Sequence, residues 1–137
     1  SQLVQYGIEI QNITDNRRDG IIKYQTVMEM LTPGENDHGL GPVVNEHTFF
    51  HGGADEGFRA RLVAWRDSPY VAVIMVNSDN GAIISEILMS IANEFSLPGY
   101  EPSVKNLIDM PISDMKKFVG HYDDGEFGTF EIHALIN

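Results

Sequence analysis

The sequence predicts an α+β fold in which an antiparallel sheet is covered by a long C-terminal helix. Three features predict it: helical apolar spacing near the start, strand-like apolar runs in the middle, and a strongly amphipathic run after them. Helices and strands come in separate runs rather than alternating one by one, which favours an antiparallel sheet over a parallel one. A short β-like tail ends the chain.

Two helices are predicted before the sheet. Over residues 3–13, apolar side chains recur at spacings of three and four, so they share one face of a helix. A shorter helix is predicted over 25–31, because Pro33-Gly34 follows it and ends it.

Two runs predict the main strands, and a third predicts the covering helix. Apolar and other residues alternate over Phe58–Trp65, which indicates a half-buried strand. Val71–Val76 is apolar at every position, which is typical of a central strand covered on both faces. Residues 83–95 repeat an apolar side chain every four positions and are ended by Pro98-Gly99. Shorter extended segments are expected at 43–44 and 48–50.

Composition shifts divide the chain into three parts. Residues 1–98 form the predicted main domain, and the proline-containing stretch 99–112 has a linker composition. Residues 113–137 contain strand-like pieces at 118–122 and 129–135. Residues 115–122 resemble the start of a small β-barrel-like domain, and this resemblance implies that 113–137 begin a truncated β-rich domain.

Charge and composition exclude several classes of partner. With 20 acidic and 9 basic residues and a net charge of -11, the chain lacks the clustered cations that nucleic acids require. The longest apolar run, 71–76, falls far short of the ~20 residues that span a bilayer. No cysteine is present, so disulfides and thiolate sites are excluded, while the cellular compartment stays open.

His47 and His51 are not predicted to form a metal site. On a helix the two imidazoles would share a face, but Thr48-Phe49-Phe50 favours a strand. Four residues of strand span ~13 Å, too far for one ion. We therefore predict no metal and no cofactor.

The most informative segment is His51-Gly52-Gly53-Ala54. Two adjacent glycines after an apolar strand allow a ligand to approach the backbone closely, or allow the chain to turn. A histidine beside such a bare edge is available for hydrogen bonding. A hairpin turn with an incidental histidine explains the residues equally well, so their chemistry alone leaves both interpretations open.

Several motifs in order resemble the last third of the serine β-lactamase and penicillin-binding-protein family. The closest resemblance is to its class-C-related, esterase-like branch, where His-Gly-Gly often replaces the Lys-Thr-Gly of the strand beside the active site. The similarity spans residues 1–98 and rests on these segments: Met30-Leu31-Thr32-Pro33, Gly39-Leu40-Gly41, Phe49–Arg59, Val71–Val76 and Asn77-Ser78-Asp79-Asn80-Gly81.

The resemblance implies a role for each residue of the segment. His51 would hydrogen-bond near the catalytic tyrosine or the substrate, and Gly52 and Gly53 would leave room for substrate along the edge. The N–H of Ala54 would be one oxyanion donor, a group whose loss typically costs ~10²–10³ in rate. The substrate would be a small molecule or peptide carrying an ester, amide or β-lactam.

The catalytic motifs of that family are not found in the expected places. The single Ser-x-x-Lys match, Ser113 to Lys116, follows the His-Gly-Gly segment instead of preceding it, and no Tyr-x-Asn occurs. Acyl transfer needs a nucleophile, a base and charge stabilisation together. The chain is therefore expected to be a C-terminal fragment, inactive without a missing N-terminal half.

Two other interpretations stay open from the sequence. The chain could be a non-catalytic binding module that holds an extended partner strand along the same edge. A small hydrolase using His51, Asp55 and Ser68 or Ser78 is disfavoured, because no nucleophile-elbow motif surrounds either serine. An edge or face left bare by an absent half also predicts self-association into a homo-oligomer.

Overall fold

The computed structural model describes residues 1–102, 104–123, 125 and 128–133. The chain divides into two compact units, Ser1–Pro102 and Ser103–Asn137. In chain order, the first unit contains these elements: α1 (Gln2–Asn16), α2 (Tyr24–Met30), β1 (Val43–Val44), β2 (Thr48–Asp55), β3 (Phe58–Trp65), β4 (Val71–Val76) and α3 (Ala82–Phe95).

The first unit has the predicted α+β architecture, built on a 4-stranded sheet in the order β1-β2-β3-β4. Every neighbouring pair in the sheet is antiparallel, as the sequence predicted. The strand pairs β2–β3 and β3–β4 are joined by short turns, so the sheet is a meander. The glycine-containing half of β2 and the whole of β4 lie on its two edges.

The position of β4 corrects one prediction. The strand was expected to be central and covered on both faces, but no further strand pairs with its outer side within residues 1–102. Most of its side chains are only half-buried, and Met75 is 63% exposed. Its apolar side chains face two helical layers, and this double covering gives an edge strand the composition of a central one.

The core lies in two layers, one on each face of the sheet. On the face that we call the α1 side, α1 and α2 pack on the strands through Ile10, Ile13, Val27, Leu31, Val44, Phe49 and Ala64. On the opposite face, the α3 side, α3 packs on the strands through Val63, Trp65, Ile84, Leu88, Ala92 and Leu97. Successive side chains of β3 therefore pack alternately in the two core layers.

The side chain of Gln11 hydrogen-bonds α1 to the end of the sheet. Gln11 is only 6% exposed, and its Nε2 donates to the carbonyls of Trp65 at 2.7 Å, Ser68 at 2.9 Å and Tyr70 at 3.0 Å. These carbonyls lie in the β3–β4 turn region, where the Tyr70 carbonyl also accepts a hydrogen bond of 3.1 Å from the N–H of Trp65. Gly7 lets the same helix approach β4, since a methyl group there would lie 2.7 Å from Val71 Cγ1.

The two ends of α3 are fixed by polar contacts. At its start, the Asn80 side-chain oxygen accepts a hydrogen bond of 3.1 Å from the N–H of Ala82, which satisfies one of the free amides of the first turn. Beyond its end, the indole N–H of Trp65 donates to the carbonyl of Pro98 at 3.0 Å. The chain after α3 is thus held against the sheet.

The second unit is small and contains α4 (Ile112–Met115), β5 (Gly120–Asp123) and β6 (Thr129–Ile132). The strands form an antiparallel pair with the rings of Tyr122 and Phe130 stacked at 5.5 Å. The strand predicted over 118–122 begins two residues later, because Phe118 ends a 3-10 turn. Residues 134–135 of the other predicted strand lie outside the described residues.

The described part of the chain contains no helix with the length and apolarity needed to cross a bilayer.

We expect Gln11→Ala to lower the free energy of unfolding by about 1–3 kcal/mol, because it leaves the buried carbonyl of Trp65 without its side-chain donor, whereas the Tyr70 carbonyl keeps the N–H of Trp65. Gln5→Ala, on an exposed position of the same helix, is the control and should change it by less than about 0.5 kcal/mol. Urea denaturation followed by circular dichroism measures both, and equal effects would contradict the anchoring role of Gln11.

Candidate functional site

Half of β2 has a free edge. β1 is short and pairs only with Phe49 and Phe50, whereas β3 pairs with the whole of β2. From His51 to Asp55, the strand therefore has a neighbour on one side only, within the part of the chain that the structure describes. This free edge contains all four residues that the sequence selected.

The register shows which backbone groups point outward at this edge. The carbonyl of Thr48 accepts a hydrogen bond of 2.9 Å from the N–H of Asn45, on the side of β2 where β1 lies. Backbone groups alternate between the two sides of a strand, so every second residue after Thr48 points the same way. The N–H and C=O groups of Gly52 and Ala54 consequently point to the free edge.

The two glycines are not required by the internal packing. A methyl group at Gly52 would lie 3.9 Å from the nearest atom, the Ala60 oxygen, and one at Gly53 would lie 3.7 Å from Ala60 Cβ. Both are ordinary contact distances, and neither glycine has a positive φ. By contrast, a methyl group at Gly39 would lie 2.0 Å from the Met30 oxygen. The fold needs glycine at 39 and does not need it at 52 or 53.

His51 is exposed, and alternation places its side chain on the α1 side of the sheet. Among the described residues, its imidazole has no hydrogen-bond or ion-pair partner. Asp55 stands four positions along the same strand, ~13 Å away, and accepts instead from the N–H of Glu56. The arrangement thus contains no His51–Asp55 pair and no serine bonded to His51, which argues against a small self-contained hydrolase.

An apolar cleft opens beside His51 on the α1 side. Its volume is about 340 Å³, and it lies between the sheet, the first turns of α1 and the end of α2. The side chains that line it include Leu3, Tyr6, Met30, Pro42, Val73 and Met75. An apolar group attached to a ligand on the β2 edge fits this chemistry.

A second cleft, of about 310 Å³, lies on the α3 side of the same edge. It is lined by Gly52, Ala54, two arginines and the first turn of α3. Arg61 lies directly opposite Gly52 in the register, and its guanidinium carbon is 5.0 Å from the ring centroid of Phe50. The Nε of Arg61 is buried without a hydrogen-bond partner, although the same side chain interacts with the Tyr100 phenol. None of the ion pairs found among the described residues includes Arg61. The cleft therefore offers an unneutralised cation in an acidic protein.

Sequence reasoning missed Arg61, although a signal for it existed. A two-residue turn at Glu56-Gly57 brings Asp55 opposite Phe58, and counting back from it brings Gly52 opposite Arg61. The other arginine of this cleft, Arg59, forms an ion pair of 2.9 Å with Asp79. Asp79 also accepts from the N–H of Gly57 at 3.0 Å, so it holds the hairpin tip.

Tyr100 adds a titratable group on the α3 side. Burial raises the pKa of its phenol above the ordinary value, and the nearby positive charge of Arg61 offsets part of that rise. Its ring lies 5.8 Å from that of Trp65 in an edge-to-face arrangement. The phenol stays neutral well above physiological pH.

The described residues contain no group of three or more histidine or carboxylate side chains that could hold a metal ion. His47 lies outside β2, and its Nε2 is 4.0 Å from a carboxylate oxygen of Glu46. The single Ser-x-x-Lys serine, Ser113, lies in the four-residue helix α4 of the second unit, whereas the β2 edge belongs to the first.

Comparison with known protein families, with curated proteins and with solved structures returns no match for this chain.

We expect Gly52→Ala and Gly53→Ala to keep or raise the free energy of unfolding, by up to about 0.5–1 kcal/mol, because alanine reduces the freedom of the unfolded chain. Gly39→Ala is the matched control and should lower it by about 1–3 kcal/mol through overpacking. Urea denaturation tests this; a large loss at 52 or 53 would show that these glycines serve the fold.

The raised pKa of Tyr100 predicts a loss of stability at alkaline pH. Below about pH 10, the Tyr100 phenol is protonated in both the folded and the unfolded state, so its full contribution to the free energy of unfolding is present. As the pH rises through the higher folded pKa, the unfolded state loses the proton more readily, so stability falls. Tyr100→Phe should flatten this decline, and Arg61→Met should shift the titration of Tyr100 further upward. Unfolding measured across alkaline pH, with phenolate absorbance, tests both; superimposable curves for wild type and Tyr100→Phe would contradict the assignment.

Proposed function

We propose that this chain is the C-terminal part of a β-lactamase-like serine hydrolase, a relative of the penicillin-binding proteins. In this proposal, β2 is the strand that lines the active site, and α3 is the C-terminal helix that covers the opposite face of the sheet. The first unit is then part of a larger hydrolase domain. The observed α+β architecture with an antiparallel sheet is compatible with this arrangement.

One observation is the main support for the proposal: the glycine edge of β2 is bare, although packing does not require it to be. Glycine in a strand interior costs about 0.5–1 kcal/mol relative to alanine. Two adjacent glycines at positions where a methyl group would make only ordinary contacts therefore weaken the strand without an internal benefit. A ligand that lies against the backbone explains why side chains are absent at Gly52 and Gly53.

The outward N–H of Ala54 suits the role of an oxyanion donor. A developing negative charge on a carbonyl oxygen is stabilised by preorganised backbone amides in a site that excludes water. An amide already bonded to β1 or β3 could not serve, whereas that of Ala54 is directed to the free edge. His51, without a partner of its own, would bond the substrate or a catalytic group of the missing half.

The substrate class follows from the same edge. A ligand extended along β2 would alternate its groups between the apolar cleft on the α1 side and the arginine cleft on the α3 side. An ester, amide or β-lactam would place an apolar substituent in the first cleft and a group with an acceptor oxygen in the second. The nucleophile and its base would come from the N-terminal half, so the isolated chain is expected to be inactive.

The free edge also favours a second candidate function. Outward amide and carbonyl groups at Gly52 and Ala54 are those to which an extended peptide adds as a further strand. In that case the chain is a non-catalytic binding module. It would then bind peptide alone, with no need for a nucleophile.

The proposed function predicts that the gene encodes a Ser-x-x-Lys and a Tyr-x-Asn motif upstream of Ser1. The chain alone should not hydrolyse a chromogenic ester or β-lactam, whereas the chain joined to its upstream segment should. In the joined protein, Ala54→Pro removes the outward N–H and should lower the rate about 10²–10³-fold. Ala54→Gly keeps the N–H and is the matched control, expected to retain most of the activity.

Hydrolysis by residues 1–137 alone at enzymatic rates would refute the proposal, as would an upstream segment without a serine motif. Binding of an extended peptide by the isolated chain, weakened by Ala54→Pro, would support the binding module instead.

A further inference from the structure

The loop over residues 77–81 connects β4 to α3 and also contacts the tip of the β2–β3 hairpin. The contact is made by the Asp79 carboxylate. One of its oxygens accepts a hydrogen bond of 3.0 Å from the N–H of Gly57 and lies 2.9 Å from Nη2 of Arg59. A single carboxylate oxygen therefore joins the loop to the hairpin turn.

Arg59 extends this contact from Asp79 to the backbone of the turn. Its Nη1 donates to the carbonyl of Phe58 at 2.8 Å and to the carbonyl of Asp55. Hydrogen bonds from a charged donor are stronger than those between neutral groups. Because Asp55 ends β2 and Phe58 begins β3, the guanidinium links both strands of the hairpin to the loop before α3.

The residues after Asp79 fix it to the start of α3. The Asn80 side-chain oxygen accepts a hydrogen bond of 3.1 Å from the N–H of Ala82, in the first turn of the helix. A methyl group at Gly81 would lie 3.8 Å from Cγ of Arg59, so the arginine stem passes close to the helix start. Since α3 is packed on the sheet, Asp79 is held by a fixed part of the fold.

We propose that Asp79 is a positioning residue for the Ala54 amide of the proposed hydrolase site, a role that rests on the proposed function. Ala54 is followed by Asp55, whose carbonyl is bonded to Arg59. If the turn shifted by one residue, the N–H of Ala54 would point into the sheet instead of toward the free edge. By joining the hairpin tip to α3, Asp79 keeps this amide preorganised before a substrate binds.

The contacts of Asp79 do not depend on what packs against the edges of the sheet. All of their partners lie between residues 55 and 82, within the first unit. The side chain of Asp79 is 67% exposed and that of Arg59 is 28% exposed. An exposed ion pair contributes little to the free energy of unfolding. The main effect of Asp79 is therefore expected on the geometry of the tip and on the rate of the reaction.

Hydrogen exchange of the backbone amides tests whether Asp79 holds the tip, and it requires no activity. In residues 1–137, Asp79→Ala should raise the exchange rate of amides 53–60 about fivefold, because local opening of the tip becomes easier. Asp67→Ala removes an exposed carboxylate from the β3–β4 turn, at the other end of the sheet, and is the matched control. Unchanged exchange at 53–60 in Asp79→Ala, or an equal rise in both variants, would overturn the inference.

Steady-state kinetics of the chain joined to its upstream segment test the effect on the rate. Asp79→Ala should lower kcat about tenfold and leave KM nearly unchanged, because the Ala54 amide acts in the transition state. Asp79→Asn keeps an acceptor for the Gly57 N–H but loses the charge that faces Arg59, so its kcat should be intermediate. In an Ala54→Pro background, Asp79→Ala should lower kcat little further, because the amide that it positions is already absent.

An unchanged kcat, a change confined to KM, or a full tenfold loss in the Ala54→Pro background would overturn the positioning role. An inactive wild-type joined protein would refute the proposed function and with it the effect on the rate, whereas exchange at 53–60 would still decide whether Asp79 holds the tip. An active joined protein in which Asp79→Ala changes neither exchange nor kcat would refute the positioning role and leave the proposed function standing.

Discussion

The register of the β2–β3 hairpin is the constraint on which the rest of this structure depends. A two-residue turn at Glu56-Gly57, with Gly57 at a φ of 75°, brings Asp55 opposite Phe58 and fixes every pair after it. Since side chains alternate between the faces of a strand, a slip of one residue would exchange the two core layers. It would also turn the N–H of Ala54 from the free edge into the ladder. The ion pair of Arg59 with Asp79, and the bond from Gly57 to the same carboxylate, hold the tip in this register.

The same register explains why the two faces of the sheet can be packed independently. Ala64 and Val63 are neighbours in β3, yet each is fully buried in a different layer. Gln11 connects one layer to the β3–β4 turn, and Trp65 connects the other to the chain after α3. Both anchors act on the same end of β3, opposite the hairpin tip. The glycine edge lies at the tip, away from these anchors and largely outside the core.

The sequence predicted the bounds of the helices and strands of the first unit better than it predicted which strands lie side by side. The apolar periodicity was sufficient for α1 and α3, because a helix buries one stripe wherever it packs. The strand over Val71–Val76 was predicted with the correct bounds but in the wrong place. An apolar residue at every position indicates that both faces are covered; it does not indicate how many strands lie alongside. The same limit applied to Arg61, which the turn at Glu56-Gly57 could have placed opposite Gly52.

The two free edges of the sheet differ in the means by which they can be recognised. At Gly52 and Ala54 there is little side chain, so affinity must come from the backbone and from groups that reach the clefts on either face. Such an edge suits a ligand whose own substituents provide the apolar contact. At Val71, Val73 and Met75 the side chains are large and apolar, so a partner strand gains both hydrogen bonds and buried surface. A bare edge therefore favours a small or extended ligand, whereas an apolar edge favours pairing with a further strand.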